Sequence, residues 1–145
     1  MLNLKTFEYT PSAKAKFATV DAAKQIDDVK SRIKALHHGT DKAGDFYRNV
    51  TALVNKYVSF RIPEIADELY KIDDAVKAGF GWELGPFETW DVLGVEKTAQ
   101  MMEASGFAPA SWVKEMTAAG NKSFYITENG KRQFYDVATK SYKDI

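Results

Sequence analysis

The chain has 145 residues, which argues for one domain with or without a tail, and 45% of them are hydrophobic, so a buried core is expected. Its 20 basic and 20 acidic residues give zero net charge, which argues against nucleic acid or an acidic membrane surface as the main partner. Without cysteine there is no disulfide, thiolate nucleophile or cysteine-based metal site, and the composition fits a cytoplasmic protein. No apolar run approaches the ~20 residues of a membrane span.

The chain begins with a segment that has no sustained helical period, and residues 1–19 are predicted to be an extended arm or linker. Residues 20–38 are predicted to form the first helix, because apolar residues recur there at four-three-four-three spacing. Thr19 is its expected N-cap, and Gly39 is the expected residue after its end.

A second helix is predicted to begin at Thr40 and to end near Pro63, because proline cannot continue the helical hydrogen bonds. Helical spacing then continues over residues 62–78, which we interpret as a third helix. Residues 79–84 form a compact corner rich in glycine and aromatic side chains.

The next helix is predicted to begin at Pro86, at its first position, and to end at Gly94. Two more helices are predicted over residues 95–105 and 109–119. They complete a helical domain that we place at residues 20–120.

After Gly120 the period changes from helical to alternating. Residues 123–127 and 133–137 are β-rich, and the Asn129-Gly130 pair between them is a strong signal for a two-residue hairpin turn. An isolated hairpin is marginally stable in water, so residues 121–145 are expected to form a β-hairpin tail packed on the helices.

Three glycines at the corner, Gly79, Gly81 and Gly85, superficially resemble a phosphate-binding loop. A dinucleotide fingerprint has the spacing G-x-G-x-x-G and follows a strand, whereas here the third glycine is one residue late and a helix comes first. The glycines therefore indicate tight helix packing, and the chain offers no visible cofactor-binding residues.

The titratable residues also form no recognisable catalytic or metal site. His37 and His38 are neighbours on a helix and point about 100° apart, so a cationic role at the helix C-terminus is favoured over chelation. The acidic groups are interpreted as solvated helix faces: Asp27–Asp28, Asp73–Asp74, and Glu64 with Asp67 and Glu68.

Four large aromatic residues surround the corner: Phe80, Trp82, Phe87 and Trp90. They fit two roles. They form either a core cluster that fixes the corner or an aromatic surface that docks another domain or subunit. We take all four as the candidate docking surface.

The corner also carries a family resemblance. Residues 72–94 read I-D-D-A-V-K-A-G-F-G-W-E-L-G-P-F-E-T-W-D-V-L-G, which resembles the signature I-D-x-A-M-x-x-G-x-G-x-P-x-G-P-F-E-x-x-D-x-x-G of the C-terminal helical domain of 3-hydroxyacyl-CoA dehydrogenases. Val76 replaces the methionine of that pattern, and Glu83 replaces its first proline. Flanking segments are similar to the central region of fused dehydrogenase/enoyl-CoA hydratase proteins, namely residues 41–44, 61–67 and the closing hairpin.

The resemblance implies a mostly α fold, a helical bundle of the 6-phosphogluconate-dehydrogenase C-terminal-like type with a C-terminal β-hairpin. It implies one domain of a longer enzyme of fatty-acid β-oxidation, which oxidises a 3-hydroxyacyl-CoA with NAD bound by an upstream domain. In that scheme this domain shapes the acyl-CoA cleft and supports domain packing, with a hydratase domain or a homodimer partner nearby. The family motif G-F-x-x-N-R contains a substrate-contacting asparagine, and Asn49 matches it only after a one-residue shift.

Two other functions stay open from the residues. A free-standing helical interaction module accounts for the corner aromatics without any enzyme. A stand-alone acyl-CoA binder has lysine and tryptophan residues available, although the sequence shows no patterned basic pocket. The predicted outcome for the chain alone is neither NAD binding nor turnover.

Overall fold

The computed structural model describes residues 1–11 and 14–145. Ser12 and Ala13, which belong to the predicted arm, lie outside the described residues. The described part of the chain contains seven helices followed by three strands: α1 Ala18–Ala23, α2 Val29–His37, α3 Lys42–Phe60, α4 Leu69–Phe80, α5 Pro86–Leu93, α6 Val95–Ala104, α7 Ser111–Ala118, β1 Tyr125–Glu128, β2 Lys131–Asp136 and β3 Ser141–Asp144. The predicted mostly α fold with a C-terminal antiparallel element is confirmed.

The predicted first helix is in fact two helices, α1 and α2, with a break between them. The Asp28 carboxylate accepts a hydrogen bond from the backbone N of Ser31 at 2.7 Å and so caps α2. The guanidinium of Arg32 donates to the carbonyl oxygens of Ile26 and Asp27, at 2.9 and 2.8 Å. The prediction of one continuous helix is therefore wrong, because these side-chain hydrogen bonds stabilise a break in it.

Asp41 is the N-cap of α3, in place of the predicted Thr40. Its carboxylate accepts from the backbone N of Ala43 at 3.0 Å and of Gly44 at 3.1 Å. It also accepts from the backbone N of Thr19 at 3.0 Å. Thr19 itself is not a cap, because α1 begins at Ala18 with Phe17 as its N-cap. These backbone donors, Thr19 first, lower the pKa of Asp41 to about 2.

Helix α3 ends at Phe60 with Arg61 as its C-cap, close to the end that Pro63 predicted. The next helix begins later than predicted, at Leu69 instead of residue 62. Residues 61–65 form turns, in which the carbonyl of Arg61 accepts from the backbone N of Ile65 at 2.8 Å.

The helices after the corner match their predicted positions closely. Pro86 opens α5 as its first residue, as predicted. Gly81 ends α4 in the left-handed conformation, with φ of 67°, which a glycine adopts without strain. Among the described residues, none of the helices is long and apolar enough to cross a membrane.

The C-terminal sheet contains the predicted hairpin and one further strand. Strands β1 and β2 pair antiparallel across Asn129-Gly130, both with positive φ. Strand β3 pairs antiparallel with the other edge of β2, in the order β1-β2-β3. The hydroxyl of Tyr142 in β3 donates to the carbonyl of Ser123 at 2.6 Å.

An aromatic side chain just before the sheet is central to the contact between the sheet and the helices. Phe124, just before β1, is fully buried, and its ring centroid lies 5.0 Å from Phe87, 5.2 Å from Trp90 and 5.8 Å from Trp112. The indole N–H of Trp112 donates to the carbonyl of Ser59 at 2.8 Å, which joins α7 to α3. Aromatic contacts with these edge-to-face geometries connect α5, α7 and the sheet in one core.

Candidate functional site

The corner between α4 and α5 is organised by a buried carboxylate. Asp73 is fully buried on α4, and its Oδ1 accepts from the backbone N of Phe87 at 2.9 Å. Its Oδ2 accepts from the backbone N of Glu88 at 2.9 Å and from the Tyr125 hydroxyl at 2.8 Å. The prediction that Asp73 belongs to a solvated face is wrong, whereas its neighbour Asp74 does lie at the surface.

Gly85 allows α4 and α5 to approach each other at this point. A Cβ on Gly85 would lie 2.3 Å from both Cβ and Cγ of Asp73, so a larger residue does not fit. The backbone N of Gly85 donates to the carboxylate of Glu88 at 2.7 Å. The glycine is therefore needed for helix packing, as the sequence indicated.

The same contacts decide whether this corner fits the pyrophosphate of NAD. A helix N-terminus binds phosphate through free backbone N–H groups and its positive dipole. At α5 the N–H groups of Gly85, Phe87 and Glu88 already donate to the carboxylates of Asp73 and Glu88. These N–H donors are already occupied by carboxylates, so the start of α5 does not fit a pyrophosphate group.

A second, partly buried carboxylate, that of Asp91, bonds α5 to the sheet. Asp91 accepts from the backbone N of Phe124 at 2.7 Å and from that of Tyr125 at 2.9 Å. Glu88 adds ion pairs with Arg132 at 2.6 Å and with Lys77 at 3.2 Å. The corner is thus bonded to both of its neighbours, α4 and the strand β2.

Burial opposes ionisation of both aspartates. It raises the pKa of Asp73 to about 6, against the three donors that bind this carboxylate. It raises the pKa of Asp91 to about 7, against two backbone donors and with the charge of Asp73 adding to the rise. All of their hydrogen-bond partners belong to the fold, so we assign both carboxylates to the structure of the corner.

The structure separates the four aromatic residues of the predicted docking surface. Phe87 and Trp90 are 0% exposed and belong to the core, so the part of the prediction that put them on a surface is wrong. Both belong to α5, whose apolar side packs against Phe124. Phe80 and Trp82 are 77% and 48% exposed. The pair lies at the end of α4 and in the corner, and its docking role stays a prediction.

Two apolar cavities lie on either side of Trp82. The first, of about 420 Å³, lies between α2, α3 and the corner, and the second, of about 400 Å³, lies between α3 and α4. Val54, Trp82 and Pro86 line both. Volumes of this size match those of small-molecule sites. Asn55, on α3, lines the first cavity and was missed by sequence reasoning because its spacing on the helix shows nothing of the cavity.

His37 does not fill the predicted role of a cation at a helix end. Its ring is buried, and burial, with Coulombic repulsion from His38, Arg48 and Lys97 added, lowers its pKa to about 4. Arg48 provides the positive charge there, and its Nη1 donates to the carbonyls of His37 at 2.7 Å and of Gly39 at 2.5 Å. The imidazole of His37 is therefore neutral near pH 7.

Asn49, the predicted substrate-contact candidate, lies exposed on α3. It lines a polar cavity of about 350 Å³ between α2, α3 and α6, together with His37, Arg48 and Thr98. The structure does not test a contact with substrate. Within residues 1–11 and 14–145, no group of three or more histidine, aspartate and glutamate side chains is placed to hold a metal ion.

The corner contacts just described lie in a stretch that matches a known family. The family model of the 3-hydroxyacyl-CoA dehydrogenase C-terminal domain matches residues 48–136, more than half of the chain. The chain belongs to this family. The resemblance seen in residues 72–94 is therefore confirmed, and the match extends from α3 through β2 of this dehydrogenase domain.

A relative from Bacillus subtilis (strain 168), described as a probable 3-hydroxyacyl-CoA dehydrogenase, is 43% identical over 131 residues. The aligned region covers 90% of this chain and 17% of the relative. The matched region therefore spans about a sixth of that relative's length.

Proposed function

We propose that the chain acts as the helical domain of a longer, NAD-dependent 3-hydroxyacyl-CoA dehydrogenase. The parent enzyme would oxidise a 3-hydroxyacyl-CoA to the 3-oxoacyl-CoA in cytoplasmic fatty-acid β-oxidation. The observation that carries this proposal is the relative that is 43% identical over 90% of this chain, yet six times longer than the aligned part. A domain conserved at that level inside a long enzyme serves that enzyme's architecture or its substrate cleft.

In this proposal the NAD-binding residues and the catalytic residues belong to other parts of the longer polypeptide. The occupied N–H groups at the start of α5 support this division, because they leave no cradle for a pyrophosphate there. Asp73 and Asp91 support it as well, since their oxygens accept hydrogen bonds from backbone and tyrosine donors that hold the corner together.

The second part of the proposal concerns packing. Exposed apolar side chains continue from Phe80 and Trp82 onto α3, where Val50, Leu53 and Tyr57 are also exposed. A contiguous apolar area of this kind is typical of a surface that another protein covers. We propose that the upstream NAD-binding domain covers it, and that a second subunit is the other partner of this domain.

Asn49 has a place in the proposal as the candidate for substrate contact. It lies on α3 at the mouth of the polar cavity, where its exposed amide is free to face an acyl-CoA held between domains. The exposed apolar area on α3 also fits the second candidate function, a free-standing interaction module. Upstream coding sequence for a nucleotide-binding unit favours the dehydrogenase, and stop codons on both sides favour the module.

The direct test measures the chain alone. We expect no NADH absorbance when the purified chain is incubated with NAD and a 3-hydroxyacyl-CoA, and no heat of NAD binding in calorimetry. Titration with CoA esters, with binding detected by tryptophan fluorescence, tests whether the chain alone binds acyl-CoA. NADH formation by the isolated chain at a rate proportional to its concentration would overturn the proposed division of labour.

A further inference from the structure

We propose that the apolar cavity between α2, α3 and the corner is a binding site for a small neutral molecule with an aliphatic body and one carbonyl oxygen. The cavity has a volume of about 420 Å³, enough for a small organic ligand. The proposal does not depend on the dehydrogenase role, because it rests on the walls and the polar floor of this cavity.

The floor of the cavity carries a polar group without a protein partner. Asn55 is 1% exposed, and its Nδ2 has no hydrogen-bond partner among the described residues. Leaving a buried amide donor unpaired is unfavourable, and native structures rarely do so without a reason. A carbonyl oxygen delivered by a ligand satisfies this donor.

The walls of the cavity are mostly apolar, although the hydroxyl-bearing Tyr47, Thr51 and Thr89 also line it. The apolar part of the walls includes Val29 and Ile33 from α2, Val50 and Val54 from α3, and Trp82 and Leu84 from the corner. Such walls bind an aliphatic chain by removing its surface from water. The indole of Trp82, about half exposed, forms one side of the opening.

The charged residue at the cavity favours a neutral ligand over an anionic one. Glu83 is the one charged residue among the described residues that line it. A carboxylate at the opening repels anions, and the apolar walls supply no compensating cation. A ketone or an ester therefore fits the site, whereas a carboxylate or a phosphate does not.

The test uses the full chain labelled with ¹⁵N and two probes of similar size, 2-heptanone and hexanoate. We expect 2-heptanone to shift the Asn55 side-chain amide resonances in a saturable way, because its carbonyl accepts from Nδ2. Hexanoate should bind at least tenfold more weakly, because of Glu83 and the apolar walls. No saturable shift with 2-heptanone, or equal affinity for the two probes, would overturn the proposal.

Substitutions separate a binding role of Asn55 from a structural one. Asn55→Leu keeps the shape of the side chain and removes the donor, so we expect about tenfold weaker binding of 2-heptanone with an unchanged or higher Tm. A lower Tm with unchanged affinity would instead assign Asn55 to the fold and contradict the site.

A second pair of variants tests the position of the ligand without touching the floor. Val50→Trp should close the cavity and abolish binding, because Val50 lines it. Leu53→Trp, at an exposed position on the same helix outside the lining, should leave binding unchanged. Equal effects of the two substitutions would place the ligand elsewhere.

Discussion

Replacing Asp73 by alanine tests the interpretation of the corner most sharply among single substitutions. The carboxylate of Asp73 accepts three hydrogen bonds, from the backbone N of Phe87, the backbone N of Glu88 and the hydroxyl of Tyr125. Asp73→Ala leaves these donors without an acceptor in a region that excludes water. It also removes the cap of α5, since both backbone donors lie in its first turn.

The expected loss in the free energy of unfolding follows from the three donors that lose their acceptor. Each buried donor without an acceptor costs about 1–3 kcal/mol, and the donors of Glu88 and Tyr125, whose hydrogen bonds are only partly buried, lie at the lower end of that range. We therefore expect Asp73→Ala to lower the free energy of unfolding by about 3–4 kcal/mol. Since domains are stable by about 5–15 kcal/mol, this is a large share of the total.

The assay is urea unfolding at pH 7 followed by far-UV circular dichroism. Asp74→Ala is the matched control, because the adjacent carboxylate is exposed and forms a surface ion pair with Lys77 at 3.0 Å. That variant should change the free energy of unfolding by less than about 0.5 kcal/mol. Tyr125→Phe should be partly redundant with Asp73→Ala in a double-mutant cycle. Equal losses for Asp73→Ala and Asp74→Ala would refute the reasoning.

Three further predictions follow from the same contacts. Burial raises the pKa of Asp73 to about 6, so the folded chain binds the Asp73 proton more tightly than the unfolded chain does. The protonated carboxyl therefore adds to the free energy of unfolding below about pH 4, and this contribution is lost as the pH rises through 6. The unsubstituted chain should therefore lose about 2 kcal/mol relative to Asp73→Asn between about pH 4 and pH 7 in urea unfolding, and a constant difference would contradict this. For His37 the sign is opposite, because its folded pKa is lowered to about 4: its contribution is complete above pH 6.5 and is lost as the pH falls through 4. NMR at about pH 5 should show a neutral His37 ring, and a protonated ring would contradict its burial. Gly85→Ala should lower the Tm through its clash with Asp73. Gly79→Ala should raise stability by about 0.5–1 kcal/mol, because its added Cβ meets no described atom within 4 Å apart from its chain neighbours and the backbone of its own helix. Equal Tm shifts for the two alanines would contradict the close approach.

The sequence predicted correctly the elements whose ends are set by neighbouring residues. The helix α5 was predicted because Pro86 and Gly94 mark its two ends, and the hairpin was predicted because Asn129-Gly130 specifies its turn. The break between α1 and α2 was missed because the apolar period continues through it. The bonds that stabilise the break come from the side chains of Asp28 and Arg32.

Contacts between distant segments account for the other differences. Asp73 stands four residues after Leu69, on the apolar face of α4, and this spacing was a usable sign of its burial. Its partners lie 14 to 52 residues further along the chain, which the sequence alone does not pair. Strand β3 was missed because Tyr142 is its one apolar side chain and its hydrogen bonds depend on the neighbouring edge of β2. The cavity at Asn55 requires three segments to meet and has no local signature.

The most direct measurement of the central proposal uses a chimera of the Bacillus subtilis relative. Its matching 131-residue region is exchanged for this chain, and NAD-dependent oxidation of a 3-hydroxyacyl-CoA is measured. We expect the chimera to retain the relative's dehydrogenase activity and the isolated chain to have none. Phe80→Asp with Trp82→Asp should reduce the chimera's activity, whereas Ile145→Asp, at an exposed position just after β3, should not. A folded but inactive chimera, or activity in the isolated chain, would contradict the account.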